Sequence, residues 1–269
     1  MSKSWALSAA ALLALCGCGP LNRALIYHPT EELASSPEKV KLPYEELWLR
    51  ASDGPQLHAW MIPNASTSPV VVLCHGNAGN IANRLTKAGL LRKAGASVLL
   101  FDYRGFGRSA GTPTEEGTYE DGETVYGWLK SQGTPDSQIV LYGESLGTGV
   151  AVELATRHPA AGLVVESGLT SIRDMGKKLF PHLPVSWFVK YRYDNLSKMP
   201  RVLSPVLVMH SPDDEIVPFS MGRRLFAAAP GPKTFAPLRG DHNGGFLIAA
   251  QEYVDAVRVF LGTPRPPGH

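Results

Sequence analysis

The stretch Ile139-Val140-Leu141-Tyr142-Gly143-Glu144-Ser145-Leu146-Gly147-Thr148-Gly149 decides how the chain is read. It opens on a short apolar run of the length a buried strand takes. Gly143 and Gly147 then bracket a serine. Val150, Ala151, Val152, Glu153, Leu154 and Ala155 follow with helix-compatible spacing. Strand, tight turn and helix, with Ser145 at the apex, hold a hydroxyl clear of a sheet. Glycine suits positions where neighbouring chain passes close to such a turn, because it has no Cβ. The helix that follows aims unpaired N–H groups at an oxygen that becomes charged during acyl transfer.

The same logic extends in both directions. Val70-Val71-Val72-Leu73-Cys74 is fully apolar and rich in β-branched residues, so it reads as a central parallel strand. Ile81, Leu85, Ala88 and Leu91 continue at helical spacing. Ser97-Val98-Leu99-Leu100-Phe101-Asp102-Tyr103 is the next strand, and Tyr119, Val125, Tyr126 and Leu129 mark a helix that ends near Gly133 and Pro135. Beyond the turn at Ser145, Leu163-Val164-Val165-Glu166-Ser167 and Val206-Leu207-Val208-Met209-His210 are buried strands, and residues 233–238 are an edge strand. Leu247, Ala250, Val254, Val257 and Leu261 form a stripe that predicts one closing helix on the sheet. Ahead of this alternation, residues 44–62 read as a β-hairpin around Ser52-Asp53-Gly54, with His58 on the strand surface. The pattern predicts an α/β fold: a mostly parallel central sheet with right-handed crossovers and helices on both faces. Residues 169–200 interrupt it and carry Phe180, Trp187, Phe188, Tyr191 and Tyr193, which predicts a short cap over the strand C-termini.

The chain has 269 residues, 44% hydrophobic and 19% charged, enough for one large domain, drawn at residues 41–262. A net charge of +2 without a long basic run argues against nucleic acid as a partner. Residues 1–17 read as a secretory signal, with Lys3 ahead of an apolar run at 5–15 that is short for a membrane span. Leu15-Cys16-Gly17-Cys18 resembles a bacterial lipobox. That resemblance implies removal of residues 1–17, lipid (palmitate-type chains) on Cys18, and a place in the bacterial envelope. Gly19 at the next position favours the periplasmic side of the outer membrane. Residues 18–40 read as a tether and 263–269 as a Pro-rich tail. Of the three cysteines only Cys74 would remain unmodified, as filler under the site, so neither a disulfide nor a cysteine metal site is expected.

A serine hydroxyl is nearly inert at neutral pH and needs a base. After a nucleophile of this type the expected order is acid, then histidine. Asp213, Asp214 and Glu215 lie just past the strand at 206–210, where a carboxylate can hold a histidine by Nδ1–H. Glu166 is a fallback acid. His242, in Arg239-Gly240-Asp241-His242-Asn243-Gly244-Gly245, has flexible glycines that let it turn toward Ser145, with Asp241 as a structural neighbour. Two N–H donors should face the charged oxygen: that of Leu146, and one from His75-Gly76-Asn77-Ala78-Gly79-Asn80. His75 reads as a loop-shaping residue.

Four stretches carry a resemblance. They are His75-Gly76-Asn77-Ala78-Gly79-Asn80-Ile81, Asp102-Tyr103-Arg104-Gly105-Phe106-Gly107-Arg108-Ser109, Gly143-Glu144-Ser145-Leu146-Gly147 and His210-Ser211-Pro212-Asp213-Asp214-Glu215-Ile216-Val217-Pro218. Together they resemble one subgroup of the α/β-hydrolases. It includes bacterial hydrolases and eukaryotic membrane-associated α/β-hydrolase domain proteins, some similar to acyl-protein thioesterases. The resemblance spans about residues 44–261 and departs at Ser211, where the family usually has glycine. It implies the α/β-hydrolase fold, Asp214 over its two neighbours, and Asn77 rather than Ala78 as the second donor. It implies a serine hydrolase that cleaves a small-molecule ester or thioester through an acyl-enzyme, with no metal, cofactor or obligate protein partner. An amidase or aminopeptidase, and a non-catalytic envelope binding module of the same fold, are the alternatives.

Overall fold

Strands that are apolar at every position need cover on both faces. The computed structural model describes residues 19–182 and 190–262. The expected signal at 1–17, the lipidation site Cys18, the cap residues 183–189 and the tail at 263–269 lie outside the described residues. In order the elements are α1 (Gly19–Ile26), β1 (His28–Pro29), β2 (Glu45–Arg50), β3 (Gln56–Ile62), β4 (Val70–Cys74) and β5 (Ala78–Gly79). There follow α2 (Leu85–Lys93), β6 (Ser97–Phe101), α3 (Glu115–Ser131), β7 (Ile139–Glu144), α4 (Thr148–Arg157) and β8 (Gly162–Glu166). The last are α5 (Ile172–Leu179), α6 (Asn195–Lys198), β9 (Val206–His210), α7 (Phe219–Ala228), β10 (Lys233–Pro237), α8 (Gly245–Ile248) and α9 (Ala250–Gly262).

Eight strands form one sheet in the order β10-β9-β8-β7-β4-β6-β3-β2. Only the β2–β3 and β3–β6 pairs are antiparallel; the other five are parallel. Successive side chains point to opposite faces. Val72, Leu141, Val165 and Val208 meet Val125 of α3, Val150 and Leu154 of α4 and Leu225 of α7. Val71, Leu100, Val140 and Met209 meet Leu85 and Leu91 of α2 and Val254 and Val257 of α9. With both faces covered, the central strands are apolar along most of their length, and a polar residue on them needs a partner. From β4 the chain moves outward to β6 on one side and later returns to β7 on the other. That reversal opens a crevice at the strand C-termini. The register pairs Cys74 with Gly143, so the ends of β4 and β7 meet at the same level.

Under the crevice, β7, β8 and α2 are tied by buried charge. Lys87 Nζ lies 2.8 Å from Glu144 Oε2 and 2.6 Å from Glu166 Oε2, and Arg84 Nε lies 3.2 Å from Glu144 Oε1. Tyr142 donates to Glu166 at 2.6 Å, and its hydroxyl also lies 2.7 Å from that of Tyr253. Burial opposes the charge on Glu144, but Lys87 and Arg84 outweigh it and hold the carboxyl at about 2.

Three sequence expectations change. The expected tether is packed from its first helix onward: Ile26 and Tyr27 are buried, and β1 pairs with β5. Nothing in its local spacing announces this, because its partners lie elsewhere in the chain. His58 is fully buried rather than on a surface, since β3 is an interior strand; its Nε2 lies 2.9 Å from Glu46. The closing helix is two helices, separated at Ala249. The break changes the phase, leaving Leu247 49% exposed, while Tyr253 joins Val254 and Val257 in the core through its hydroxyl partner. No helix among the described residues is long and apolar enough to cross a membrane.

Replacing Lys87→Met leaves buried Glu166 with only the Tyr142 hydroxyl and Glu144 with only Arg84, and should cost about 3–5 kcal/mol in urea denaturation at neutral pH. The folded value of Glu144 is depressed, so its stabilisation is complete above the ordinary value of 4.5 and drains as pH falls toward about 2. Stability measured between those pH values should fall in the native protein and fall less steeply in Lys87→Met.

Candidate active site

Ser145 stands at the end of β7 with φ of 52°, in the left-handed region, and begins a single 3-10 turn that leads into α4. Two glycines allow that turn. A Cβ on Gly147 would collide with the carbonyl oxygens of Cys74 and His75, and one on Gly143 with the backbone of Thr148. Thr148 Oγ1 donates to Ser145 O at 2.6 Å and accepts from Asn195 Nδ2 at 3.1 Å, which ties the cap's α6 to the turn.

Asp214 follows β9 in a tight turn that its own side chain closes. Oδ1 accepts from the N–H groups of Ile216 and Val217 at 3.0 and 2.7 Å. Oδ2 accepts from His242 Nδ1 at 2.7 Å and lies 3.3 Å from His210 Nε2. Burial opposes ionisation, yet the hydrogen bonds from His210, His242 and the Val217 N–H outweigh it and hold the carboxyl well below the usual range. An ionised carboxylate only accepts, so Nδ1 of His242 carries the proton. Nε2 is left as an acceptor 3.0 Å from Ser145 Oγ. Ser145, Asp214 and His242 are therefore brought together in one line.

The neighbouring acids have other work. Glu215 Oε2 accepts from the His242 N–H at 3.0 Å, and Asp241 Oδ1 accepts from the Gly244 N–H at 2.5 Å, which shapes the histidine loop. Asp213 is exposed. Ser211, the departure from the family pattern, accepts from the Asp213 N–H at 3.1 Å. Glu166 is held by Lys87 and Tyr142. Sequence reasoning gave His210 no role beyond ending a strand. Its signal was a histidine closing an apolar strand four residues before the acid, and it is fully buried.

The other predicted donor loop lies against the turn. A Cβ on Gly76 would stand 3.6 Å from Ser145 Cβ, so the loop that carries Asn77 runs close beside the serine. His75, fully buried, packs its ring on Tyr103 and lies 3.5 Å from Asp102. Asp102 also accepts from the Ile81 N–H at 2.9 Å. Burial opposes the charge of Asp102, but the rings of His58 and His75, 3.8 and 3.5 Å away, and the Ile81 N–H hold its carboxyl below the usual value. Cys74 is a buried free thiol that burial pushes well above its ordinary range. An open cleft of about 530 Å³ is lined by Thr30, Glu32, Ala78, Gly79, Arg84 and Asn243, the last next to His242 in the chain. No cluster of three or more His, Cys, Asp or Glu suited to a metal occurs among the described residues.

Comparison with known proteins bears on the fold and the family. The family model described as serine aminopeptidase, S33, matches residues 65–197. The α/β-hydrolase domain-containing protein WAV2 of Arabidopsis thaliana is 32% identical over 216 residues, which cover 72% of this chain and 69% of WAV2. The lysophosphatidylserine lipase ABHD12 of Rattus norvegicus is 30% identical over 82% of this chain and 62% of its own length. An esterase of Pyrococcus furiosus shares the fold with a TM-score of 0.73 at 20% identity, over 87% of this chain and 98% of the esterase. A parallel sheet with a serine turn at its switch point, and a relative matched over two thirds of its length, lead to one conclusion: the chain is a hydrolase of the α/β-hydrolase superfamily.

Proposed function

We propose that the chain hydrolyses carboxylic esters or thioesters through an acyl-enzyme on Ser145. The observation that carries this reading is the unbroken hydrogen-bond line from Asp214 through His242 to Ser145, at 2.7 and 3.0 Å. His242 Nε2 takes the hydroxyl proton as Ser145 Oγ bonds to the acyl carbon. The carbonyl oxygen, now charged, is met by the N–H groups of Leu146 and Asn77. His242 then gives the proton to the departing alcohol or thiol. Water, deprotonated by His242, repeats the attack and releases the acid. Asp214 stays ionised throughout, fixes the tautomer and stabilises the imidazolium.

Two observations refine the substrate range. The similarity to ABHD12, a lysophosphatidylserine lipase, adds lysophospholipids to the esters worth testing. The serine aminopeptidase family model supports amides as a second reading. Attachment to the bacterial envelope through acylated Cys18, on the periplasmic side of the outer membrane, completes the proposal and rests on the sequence Leu15-Cys16-Gly17-Cys18.

On p-nitrophenyl esters from acetate to palmitate, Ser145→Ala should lower kcat by about 10⁴–10⁶-fold with the circular dichroism unchanged. Asp214→Asn should lower it by about 10⁴-fold by releasing the wrong tautomer. Turnover retained in Ser145→Ala would overturn the mechanism. Faster release of p-nitroaniline from aminoacyl anilides than of p-nitrophenol would move the substrate to amides. A Ser145 that fails to react with a fluorophosphonate would instead favour the non-catalytic binding module. Mass spectrometry of the mature N-terminus should find acylated Cys18; an unmodified cysteine there would sink the anchor.

A further inference from the structure

The loop at residues 75–80 is gripped from two directions. From inside, His75 Nδ1 lies 2.7 Å from Gly76 O, and Tyr103 donates to His75 O at 3.1 Å. A peptide unit is planar, so pinning the Gly76 carbonyl sets the direction of the Asn77 N–H on the opposite side of that unit. From outside, the grip comes from the N-terminal segment. Asn77 is held at two points: its carbonyl accepts from the His28 N–H at 2.8 Å, and its side-chain amide donates to Ile26 O at 2.9 Å. The far end of the loop is held in the same way. Thr30 N–H donates to Gly79 O at 3.2 Å, and Asn80 Nδ2 lies within hydrogen-bond distance of Thr30 O, Thr30 Oγ1 and Glu32 O.

The segment is itself fastened to the body of the protein. Tyr27 is buried, its hydroxyl 2.8 Å from that of Tyr193, which in turn lies 2.7 Å from Thr118 Oγ1. The Tyr27 ring meets Phe106 and Tyr191 edge-on, and the Gly107 N–H donates to Thr30 O at 3.0 Å. The ladder partner of β5 is thus β1, and not a strand of the main sheet. Without that partner the Asn77 end of the loop would keep only its inner contacts.

We propose that residues 22–32 are a strap belonging to the active site, which positions the loop at 75–80 so that the Asn77 N–H meets the substrate oxygen. This rests on the reading of Asn77 as an oxyanion donor above. Tyr27, His28 and Thr30 act here as positioning residues and touch no reacting atom. Donor geometry matters steeply in such sites: a displacement of about 1 Å can cost about 10²-fold in rate.

The test uses the full chain and p-nitrophenyl butyrate. Asn77→Asp keeps the backbone N–H and the side-chain shape but cannot donate to Ile26 O. Tyr27→Phe keeps the ring and removes the hydroxyl clasp at the other end of the strap. Asn77→Asp should lower kcat by about 10²-fold, and Tyr27→Phe by about fivefold, with KM within about twofold of the native value. A contact that serves stability alone would move Tm and leave kcat in place. With Ser145→Ala inactive, folded Asn77→Asp and Tyr27→Phe that both keep native kcat would overturn the strap and leave the serine mechanism standing. Turnover retained in Ser145→Ala would overturn the mechanism itself. Should Asn77→Asp fail to fold, Tyr27→Phe decides by the same readout.

Discussion

The contact on which this molecule depends is the near-touch of two backbones, Gly147 of the serine turn against the carbonyl oxygens of Cys74 and His75. No side chain fits between them. The closeness follows from the pairing of β4 with β7, whose register sets Cys74 beside Gly143. It leaves Ser145 in a left-handed conformation that costs an L-residue about 1–2 kcal/mol. A sheet packed under helices on both faces holds it there. Ser145 and the loop at 75–80 are thus brought level by the register of the buried strands that carry them.

Three acidic systems share this small region and stay separate. Asp214 is fed by His210, His242 and two backbone N–H groups, and it faces the histidine that reaches Ser145. Glu144 and Glu166 are spent on Lys87 and hold β7 and β8 to α2 beneath the serine. Asp102 sits between His58 and His75 and steadies the start of the loop at 75–80. Each carboxylate lies at least half-buried with a charged or titratable side chain beside it, as low-dielectric surroundings favour. The pairing explains why Glu166, also at the end of a strand, is not available to orient a histidine.

The site motifs were readable because their chemistry is local. A glycine–serine turn between an apolar run and a helix announces itself within eleven residues, Ile139 to Gly149. Asp214 closes its own turn through N–H groups two and three residues ahead. What escaped reading is held by distant partners. Tyr27 answers to Tyr193, 166 positions away, and a two-residue strand such as β1 has no periodicity to betray it. His58 looked exposed because its alternation suited an edge hairpin, whereas β6 lies beside it.

The sequence by itself determined the alternation of strand and helix and the serine turn, because each is written in apolar period or glycine position, while the choice of Asp214 among three adjacent acids needed the family resemblance. The tertiary structure decided which acids are free and which are locked in pairs. It also decided that His210 supports Asp214 and that the N-terminal segment lies against the loop at Asn77. These outcomes depend on side chains from separate elements meeting in a desolvated interior. Burial makes an unpaired polar group costly and so selects its partner, and no local pattern carries that information.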